Sequence, residues 1–525
     1  MGYSTGIALS HSTSSLLVAI LASYVAYLIV SGIIQSHRRR VKAKKLQCLN
    51  PPALKNRLPF GIDQVKRNVN ALAANAFPVH CQNNHKELKT LTYSTSILGK
   101  NGFSTMDEEN IKAILGTQFQ DYDLGPERRD NSMPFIGDGI FAQDGKPWEH
   151  SRALLRPQFA RDNITDLDME ERHTQALLQA LPKIGQSGWT SEVDIQPLLF
   201  RLTLDTATEF LLGRSVNSQL LGMKPASEVS DIDDFGKEFD NGTKAIAQRA
   251  RFNPYSWLIW PKGFTKAISV CHRAIDRIVA EHLEEMKTPG KVEEPERYVF
   301  FKALAEQTQD PLELRTHVLN ILLAGRDTTS SLIGFIILSL ARDPERYKKL
   351  RDVILNDFGT FDDPKNITFF NIKSCAYLQW VLKETLRLYP VVPWNLRVAN
   401  KDTTLPRGGG KDGKSKIFVR KGSAIEYHPY ALHRREDIWG KDAAEFNPER
   451  WDGKRVGWEF LPFNGGPRIC VGQQYALTEA GVVMIRLLQK FDQIESMDKE
   501  EVTLNLTATM CSGNGVKIRL HEAKA

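Results

Sequence analysis

Ten residues near the carboxyl end carry the sharpest chemical signal in the chain: Phe463-Asn464-Gly465-Gly466-Pro467-Arg468-Ile469-Cys470-Val471-Gly472. A thiolate that binds a metal needs a loop that brings sulfur to the ion while backbone N–H groups point at the sulfur. Gly465, Gly466 and Gly472 permit that close approach and the unusual dihedrals it requires. A helical pattern begins directly afterwards, at about Gln473, which would place a positive helix end beside Cys470 and favour its anion. Arg468 would add positive charge two residues away. The plainer alternative is a glycine-rich turn around an inert buried cysteine, as most unpaired cysteines are.

Other residues with chemical potential lie far away in the sequence. Glu384 and Arg387 are three apart in a helical pattern, so both project from one face and can share a partner. Taken alone, such a pair is usually a surface ion pair. Trp148 and Arg152, four apart, also share a helical face. Ala324-Gly325-Arg326-Asp327-Thr328-Thr329 places an acid and an alcohol inside an otherwise apolar helical stretch, where a solvent-facing role fits poorly. There Thr328 can bond back to a carbonyl one turn earlier and open the helix locally.

Together these stretches resemble the cytochrome P-450 family. The Cys470 loop is similar to that family's haem-binding pattern F-x-x-G-x-R-x-C-x-G at every specified position. The resemblance implies that Cys470 is the axial thiolate of haem b, donating electron density that promotes O–O cleavage in dioxygen. It also implies that Glu384 and Arg387 form a structural triad with Arg450 of Phe446-Asn447-Pro448-Glu449-Arg450-Trp451. Trp148, Arg152, Arg397 and Arg468 become candidates for holding the haem propionates, because guanidinium groups stay charged and bind carboxylates bidentately. Asp327 and Thr328 become the pair that delivers protons to the distal oxygen, with Gly325 sparing the distal face a side chain.

Several longer stretches are similar to the fungal branch that hydroxylates n-alkanes and fatty acids. They include Ile136-Gly137-Asp138-Gly139-Ile140-Phe141, Arg156-Pro157-Gln158-Phe159 and residues 319–329, 405–410 and 461–479. The implied activity is insertion of one oxygen atom from O2 into a C–H bond of a lipophilic substrate, most specifically the terminal methyl of a long alkane or fatty acid. Hydroxylation of a fungal secondary metabolite or a xenobiotic is the alternative. Electrons would come from an NADPH-cytochrome P-450 reductase, with cytochrome b5 as a second donor. A haem isomerase or peroxygenase would need no reductase, but its hallmark would be loss of the acid–alcohol pair, and Asp327 and Thr328 are both present. A haem sensor or electron carrier would not need a proton-delivering helix.

The elements that must position these residues are mainly helical. Asp310-Pro311, an N-cap followed by proline at the first helical position, opens a segment expected to run to about Arg342. At 1.5 Å per residue it spans ~48 Å, and its apolar residues on nearly every face predict burial from all sides. A second helix is expected over residues 374–388, stopped by Pro390, and a last one over residues 473–490. Pro406-Arg407-Gly408-Gly409-Gly410 reads as a hairpin loop, and residues 504–519 as a closing hairpin turning at Ser512-Gly513-Asn514-Gly515. The expected fold is mainly α with a small β-rich lobe, the haem lying between the long central helix and the Cys loop.

At the amino end, residues 15–34 form an uncharged, mostly apolar run, enough for a helix of ~30 Å that crosses the hydrocarbon core. Arg38, Arg39, Arg40, Lys42, Lys44 and Lys45 follow it. They account for nearly all of the net charge of +7, so the rest of the 525-residue chain is close to neutral and no basic face remains to suggest nucleic acid as a partner. The positive-inside rule puts residues 1–14 in the lumen and the catalytic part in the cytosol, as in a single-pass protein of the endoplasmic reticulum membrane. A cleaved signal peptide would show a basic start and a shorter apolar stretch. Residues 35–60, with Asn50-Pro51-Pro52 and Pro59, then read as a basic, stiff hinge ahead of a catalytic domain over 61–525. The sequons at Asn163, Asn241, Asn366 and Asn505 would stay unmodified in the cytosol. The six cysteines form no CxxC pair and no zinc pattern.

Overall fold

A computed structural model describes residues 11–224, 235–253, 255–287 and 299–524, with residues 11–15 described by backbone alone. The expected lumenal residues 1–10 therefore lie outside the described part. Helices dominate. They include α1 (His11–Lys45), α2 (Pro126–Ile136), α3 (Gly145–Leu155), α4 (Gln196–Leu212), α5 (Phe235–Ala250), α6 (Phe264–Lys287), α7 (Pro311–Ala341), α8 (Ala376–Leu388) and α9 (Gln473–Lys490).

The long central helix forms for the reasons its sequence gives. Asp310 Oδ1 accepts the Leu312 N–H at 2.9 Å and Pro311 occupies the first turn, where no amide donor is needed. The helix stops at Ala341, just before the Asp343-Pro344 start of the next helix. Its apolar side chains divide between two cores. Residues up to Leu322 join α4, α5 and α6 in one cluster, and residues from Leu332 onward join α8, α9 and the C-terminal strands in the other. The Ala324–Thr329 stretch of α7 lies in the interval between these cores.

The β-rich lobe is small. β1 (Thr92–Ile97), β2 (Lys100–Thr105), β3 (Tyr122–Asp123), β5 (Asn395–Ala399) and β8 (Ala424–Tyr427) form a five-stranded sheet in the order β1-β2-β8-β5-β3. β4 (Val193–Asp194), β12 (Lys517–Glu522) and β9 (Phe491–Ser496) form a second sheet in that order. β6 (Thr403–Gly409) pairs with β7 (Ser415–Val419), and β10 (Leu504–Leu506) with β11 (Met510–Ser512).

Both hairpin turns differ from their expected positions. Pro406 to Gly409 lie inside β6, because Gly408, at φ +102°, carries a register shift that keeps the strand going past the proline. The turn follows at residues 410–414. At the carboxyl end, β10 turns at residues 507–509, and the Ser512–Gly515 stretch connects β11 to β12, which pairs with β9 instead. Residues 369–374 form a short helix of their own before α8.

α1 is continuous from the apolar run through the basic cluster to Lys45, and its apolar residues are exposed. Its last turns rest on the β6–β7 hairpin. Arg39 Nε donates to Asp402 at 3.2 Å, Lys42 lies 6.0 Å from the Phe418 ring, and Leu49 N–H bonds the Lys416 carbonyl at 2.9 Å.

Candidate active site

The Cys470 loop is shaped by close backbone packing. Gly466, at φ +67°, lies so near the Leu115 carbonyl that a Cβ there would stand 1.8 Å from its oxygen. Any side chain would displace the loop. Cys470 N–H donates to the Phe463 carbonyl at 3.0 Å, and α9 starts immediately after Gly472. Cys470 is exposed although protein encloses its thiol, so its open surface faces an internal space. Burial pushes the thiol up from its usual range, while the Gly472 N–H and Arg152 pull it back. The guanidinium acting on the sulfur is Arg152 and not Arg468, which turns away to Asp144 at 2.8 Å.

The opposite wall is the middle of α7. Within its buried stretch, residues 316–338, Leu323, Ala324, Gly325 and Thr328 alone are half-exposed. A Cβ on Gly325 would meet only Ala207, at 3.8 Å. Thr328 Oγ1 donates to the Ala324 carbonyl at 2.7 Å, the bond expected to loosen the helix. Asp327 points elsewhere. It is buried, and Arg326 Nη1 donates to its Oδ1 at 3.1 Å. The same Nη1 pairs with Asp240 of α5. Burial raises the Asp327 carboxyl to about 6, with Asp240 adding to the rise and Arg326 opposing it.

Three guanidinium groups face one another at the edge of this space. Arg468 lies 4.2 Å from the Trp148 ring and bonds the Gln143 carbonyl at 3.0 Å. Arg397 is held by its neighbour's carbonyl, Leu396 O, at 2.8 Å. Arg128, on α2, reaches Asn395 at 3.1 Å. Burial lowers Arg128 and Arg468 to about 10, and positive neighbours in the group (Arg397 for Arg128, Arg397 and Arg128 for Arg468) push in the same direction. The Nε atoms of Arg397 and Arg468 are buried without a partner. Such a cluster calls for an anionic occupant, since burying a charge is costly unless it is paired. Two propionates meet that need, so the residues present fit haem. Arg152 sits apart, donating to the Ile469 carbonyl at 3.0 Å beside the Cys loop.

The triad is fully assembled beneath the loop. Arg387 and Glu384 are wholly buried and bond bidentately at 2.8 and 2.9 Å. Arg450 Nε and the Asn447 N–H reach Glu384 Oε1 at 2.9 Å, and the Trp451 indole reaches its Oε2 at 3.0 Å. The guanidinium of Arg387 also binds the carbonyls of His433, Ala443 and Glu445 at 2.6–3.0 Å. Every oxygen of the carboxylate is therefore satisfied, which a buried ion pair requires.

Sequence reasoning did not find Arg128, Asp240 or His433. Arg128 stands in a helix with no marked apolar face and carries no spacing that distinguishes it from Arg129. Asp240 is defined only by its partner 86 residues away.

The comparisons agree with this geometry. The profile of the family described as Cytochrome P450 matches residues 59–516. The chain belongs to the cytochrome P450 family. It is 49% identical over 516 residues to Cytochrome P450 monooxygenase g430 of a Fusarium species, spanning 96% of this chain and 90% of the relative. It is 47% identical over 418 residues to Cytochrome P450 52A5 of Candida maltosa, covering 78% of each chain. With Cytochrome P450 52A6 of Candida tropicalis it shares 42% over 504 residues, 93% of each. As a cytochrome P450 it is an oxidoreductase with haem bound through a cysteine thiolate, using dioxygen and NADPH-derived electrons delivered by a redox partner to oxygenate a lipophilic substrate. The apolar α1 fits a membrane anchor.

Proposed function

We propose that this cytochrome P450 hydroxylates the terminal carbon of long-chain alkanes or fatty acids. In this reading Cys470 would bind the haem iron through its thiolate, and Trp148, Arg397, Arg468 and Arg128 would hold the propionates, with Arg152 at the edge of the Cys loop. Residues 15–34 anchor the catalytic domain, residues 61–525, to the cytosolic side of the endoplasmic reticulum membrane, and residues 35–60 connect the two. An NADPH-cytochrome P-450 reductase is the electron donor, with cytochrome b5 as a second. The observation that carries the catalytic reading is the internal space bounded by the Cys470 thiol, the half-exposed residues of α7 and the Arg128–Arg397–Arg468 cluster, in which two buried Nε atoms have no partner although Arg468 pairs with Asp144.

When bound, haem supplies the iron at which dioxygen is activated and from which oxygen passes to a C–H bond. The chain's own residues do the rest. Gly325 leaves room at the distal wall. Thr328 spends its proton on the Ala324 carbonyl, so its oxygen is free to accept and orient a hydrogen bond from within the space. Asp327, raised to about 6, is mostly ionised at neutral pH yet close enough to neutrality to take up and pass on a proton. Glu384, Arg387 and Arg450 keep the loop under the sulfur rigid.

The substrate class rests on resemblance to the alkane-hydroxylating branch and on an anchor that holds the domain where such molecules dissolve. Burying each methylene contributes about 0.8 kcal/mol, so affinity should rise with chain length until the cavity is full. Terminal attack must overcome the greater reactivity of internal C–H bonds, which requires the chain to be held end-on, a positioning effect. The test is product analysis by mass spectrometry with reductase, NADPH and a panel of alkanes, fatty acids and polycyclic compounds. Terminal alcohols from long chains are expected. A polycyclic product with no chain oxidation would overturn the substrate assignment while leaving the monooxygenase intact. For the ligand, Cys470→Ser should abolish the red-shifted Soret band of the reduced carbon monoxide complex. Retention of that band would place the thiolate elsewhere.

A further inference from the structure

Glu426 stands in the interior of the five-stranded sheet, on β8 between β2 and β5. Its register partners are Ser104 on β2 and Leu396 on β5, and Tyr93 of β1 lies opposite Ser104, so these four side chains share one face. The other face carries Tyr427, with the Arg397 guanidinium 5.7 Å from its ring. β5 is therefore a wall with two sides: Asn395 and Arg397 turn to the guanidinium cluster, and Leu396 turns to Glu426. The helix Phe77–Leu88 covers the Glu426 face. Along it, Phe77 meets the Trp394 ring edge-on at 6.1 Å, Cys81 lies beside Glu426 and Tyr93, and His85 bonds Ser104 at 3.2 Å.

The two ends of this layer differ. At one end Ser104 Oγ joins the rings of His85 and His428 at 3.2 and 2.8 Å, and all three residues are buried. At the other, Trp394, Leu396 and Glu426 keep open surface although protein encloses the Glu426 carboxyl, so the space they line is internal. A donor and an acceptor sit side by side there. Trp394 Nε1 is buried beside the carboxyl but makes no hydrogen bond of ordinary geometry. Among the described residues no cation pairs with Glu426. Burial raises its acid to about 7 against the pull of Trp394, and burial likewise keeps the neighbouring Cys81 and Tyr93 neutral. Groups buried in this state are costly unless an occupant completes their hydrogen bonds.

We propose that Glu426 and Trp394 form a hydroxyl-binding site for the polar end of a long-chain substrate, so that the chain this protein selects ends in an alcohol. This rests on the reading of the protein as a terminal hydroxylase of long chains. A hydroxyl carries a donor and an acceptor on one oxygen. It accepts the indole N–H and donates its own proton to the carboxylate. An alkane satisfies neither group. A fatty-acid carboxylate accepts from the indole but meets Glu426 as a like charge with no cation to offset it. With the head group fixed here, the far methyl is the end left for oxygenation. One oxygen atom of O2 enters its C–H bond, the other leaves as water with two electrons from NADPH and two protons, and the product carries a hydroxyl at both ends.

The experiment titrates the substrate-induced spin shift of the full-length holoenzyme with hexadecane, hexadecanol and hexadecanoate, in the parent and in Glu426→Leu, Glu426→Gln and Trp394→Phe. The ratio of hexadecanol to hexadecane affinity isolates the head group from changes in cavity volume. Glu426→Leu should lower that ratio roughly tenfold, the scale of a hydrogen bond to a charged group, and Trp394→Phe severalfold. Glu426→Gln removes the charge but keeps an acceptor, so it should strengthen hexadecanoate binding severalfold and retain most of the hexadecanol affinity. With reductase and NADPH, the parent should convert hexadecanol to the chain hydroxylated at both ends. An unchanged ratio in either Glu426→Leu or Trp394→Phe, or no gain for hexadecanoate in Glu426→Gln, overturns the proposal. If none of the three chains shifts the spin state of the parent or yields product, the long-chain reading fails and the proposal falls with it; the two failures are told apart because in the first the chains still bind.

Discussion

The imidazole Nε2 of His433 accepts the backbone N–H of Leu461 at 2.8 Å, and the His433 carbonyl accepts from Arg387 at the same distance. One residue thus joins the buried Glu384–Arg387–Arg450 network to the chain that enters the Cys470 loop two residues later, at Phe463. The triad reaches the thiolate by this route as well as by general packing. His433→Phe keeps the ring volume but leaves the buried Leu461 amide unpaired, which costs about 1–3 kcal/mol. Urea unfolding should register that loss, and the fraction of protein giving the normal carbon monoxide band should fall as the loop loosens.

Removing one partner from the network is more severe. Glu384→Ala leaves Arg387 and Arg450 charged in the interior and strips the Trp451 indole of its acceptor. Breaking a buried pair in this way costs about 3–5 kcal/mol. Expression should yield aggregated or haem-poor protein, measured as the ratio of Soret to protein absorbance. A haem content equal to that of the parent would show that the network does not brace the loop.

Arg128 distinguishes a propionate cluster from an ordinary surface helix. Arg128→Ala removes one of the three facing guanidinium groups, so haem should transfer to apomyoglobin roughly tenfold faster, an effect of about 1.4 kcal/mol. The neighbouring Arg129 instead pairs with Asp138 at the surface. Arg129→Ala should leave the transfer rate unchanged.

A pH prediction follows from Glu479 on α9. Burial raises its carboxyl to about 7, against the pull of Thr206 and Thr329. Its pKa in the folded chain exceeds the unfolded value, so the unfolded chain ionises first as pH rises. Stability is full below about 4.5 and is lost up to about 7, beyond which the loss is constant. Glu479→Gln cannot ionise and escapes that loss. Its stability relative to the parent should therefore improve between these two values by about 3 kcal/mol. Equilibrium denaturation across that window would reveal it, and a difference that does not vary with pH would mean that Glu479 titrates normally.

What could be read from the sequence was what is local in it. Asp310-Pro311 and Pro390 bounded their helices correctly because caps and prolines act within one turn. The Cys470 loop and Thr328 were found because their chemistry is written in adjacent residues. The turn of the β6–β7 hairpin was misplaced because Gly408 absorbs a register shift that only the partner strand requires. Arg128, Asp240 and His433 were invisible for a related reason. Each acquires its role from a partner tens to hundreds of residues distant, and nothing in its own neighbourhood marks it. Arg152 and Arg468, both legible as functional arginines, exchanged one expected task because Asp144 claims Arg468.

The unbroken course of α1 into its seat on the β6–β7 hairpin has a consequence for encounters at the bilayer. A domain on a loose tether samples many orientations, and a partner diffusing beside it must wait for the right one. Here the Arg39–Asp402 pair and the Leu49–Lys416 backbone bond tie the end of α1 to the domain, which narrows the orientations the domain can take if α1 lies in a bilayer. A partner confined to the same bilayer would then meet a narrower belt of the protein's surface, and the search for a productive complex would be shorter.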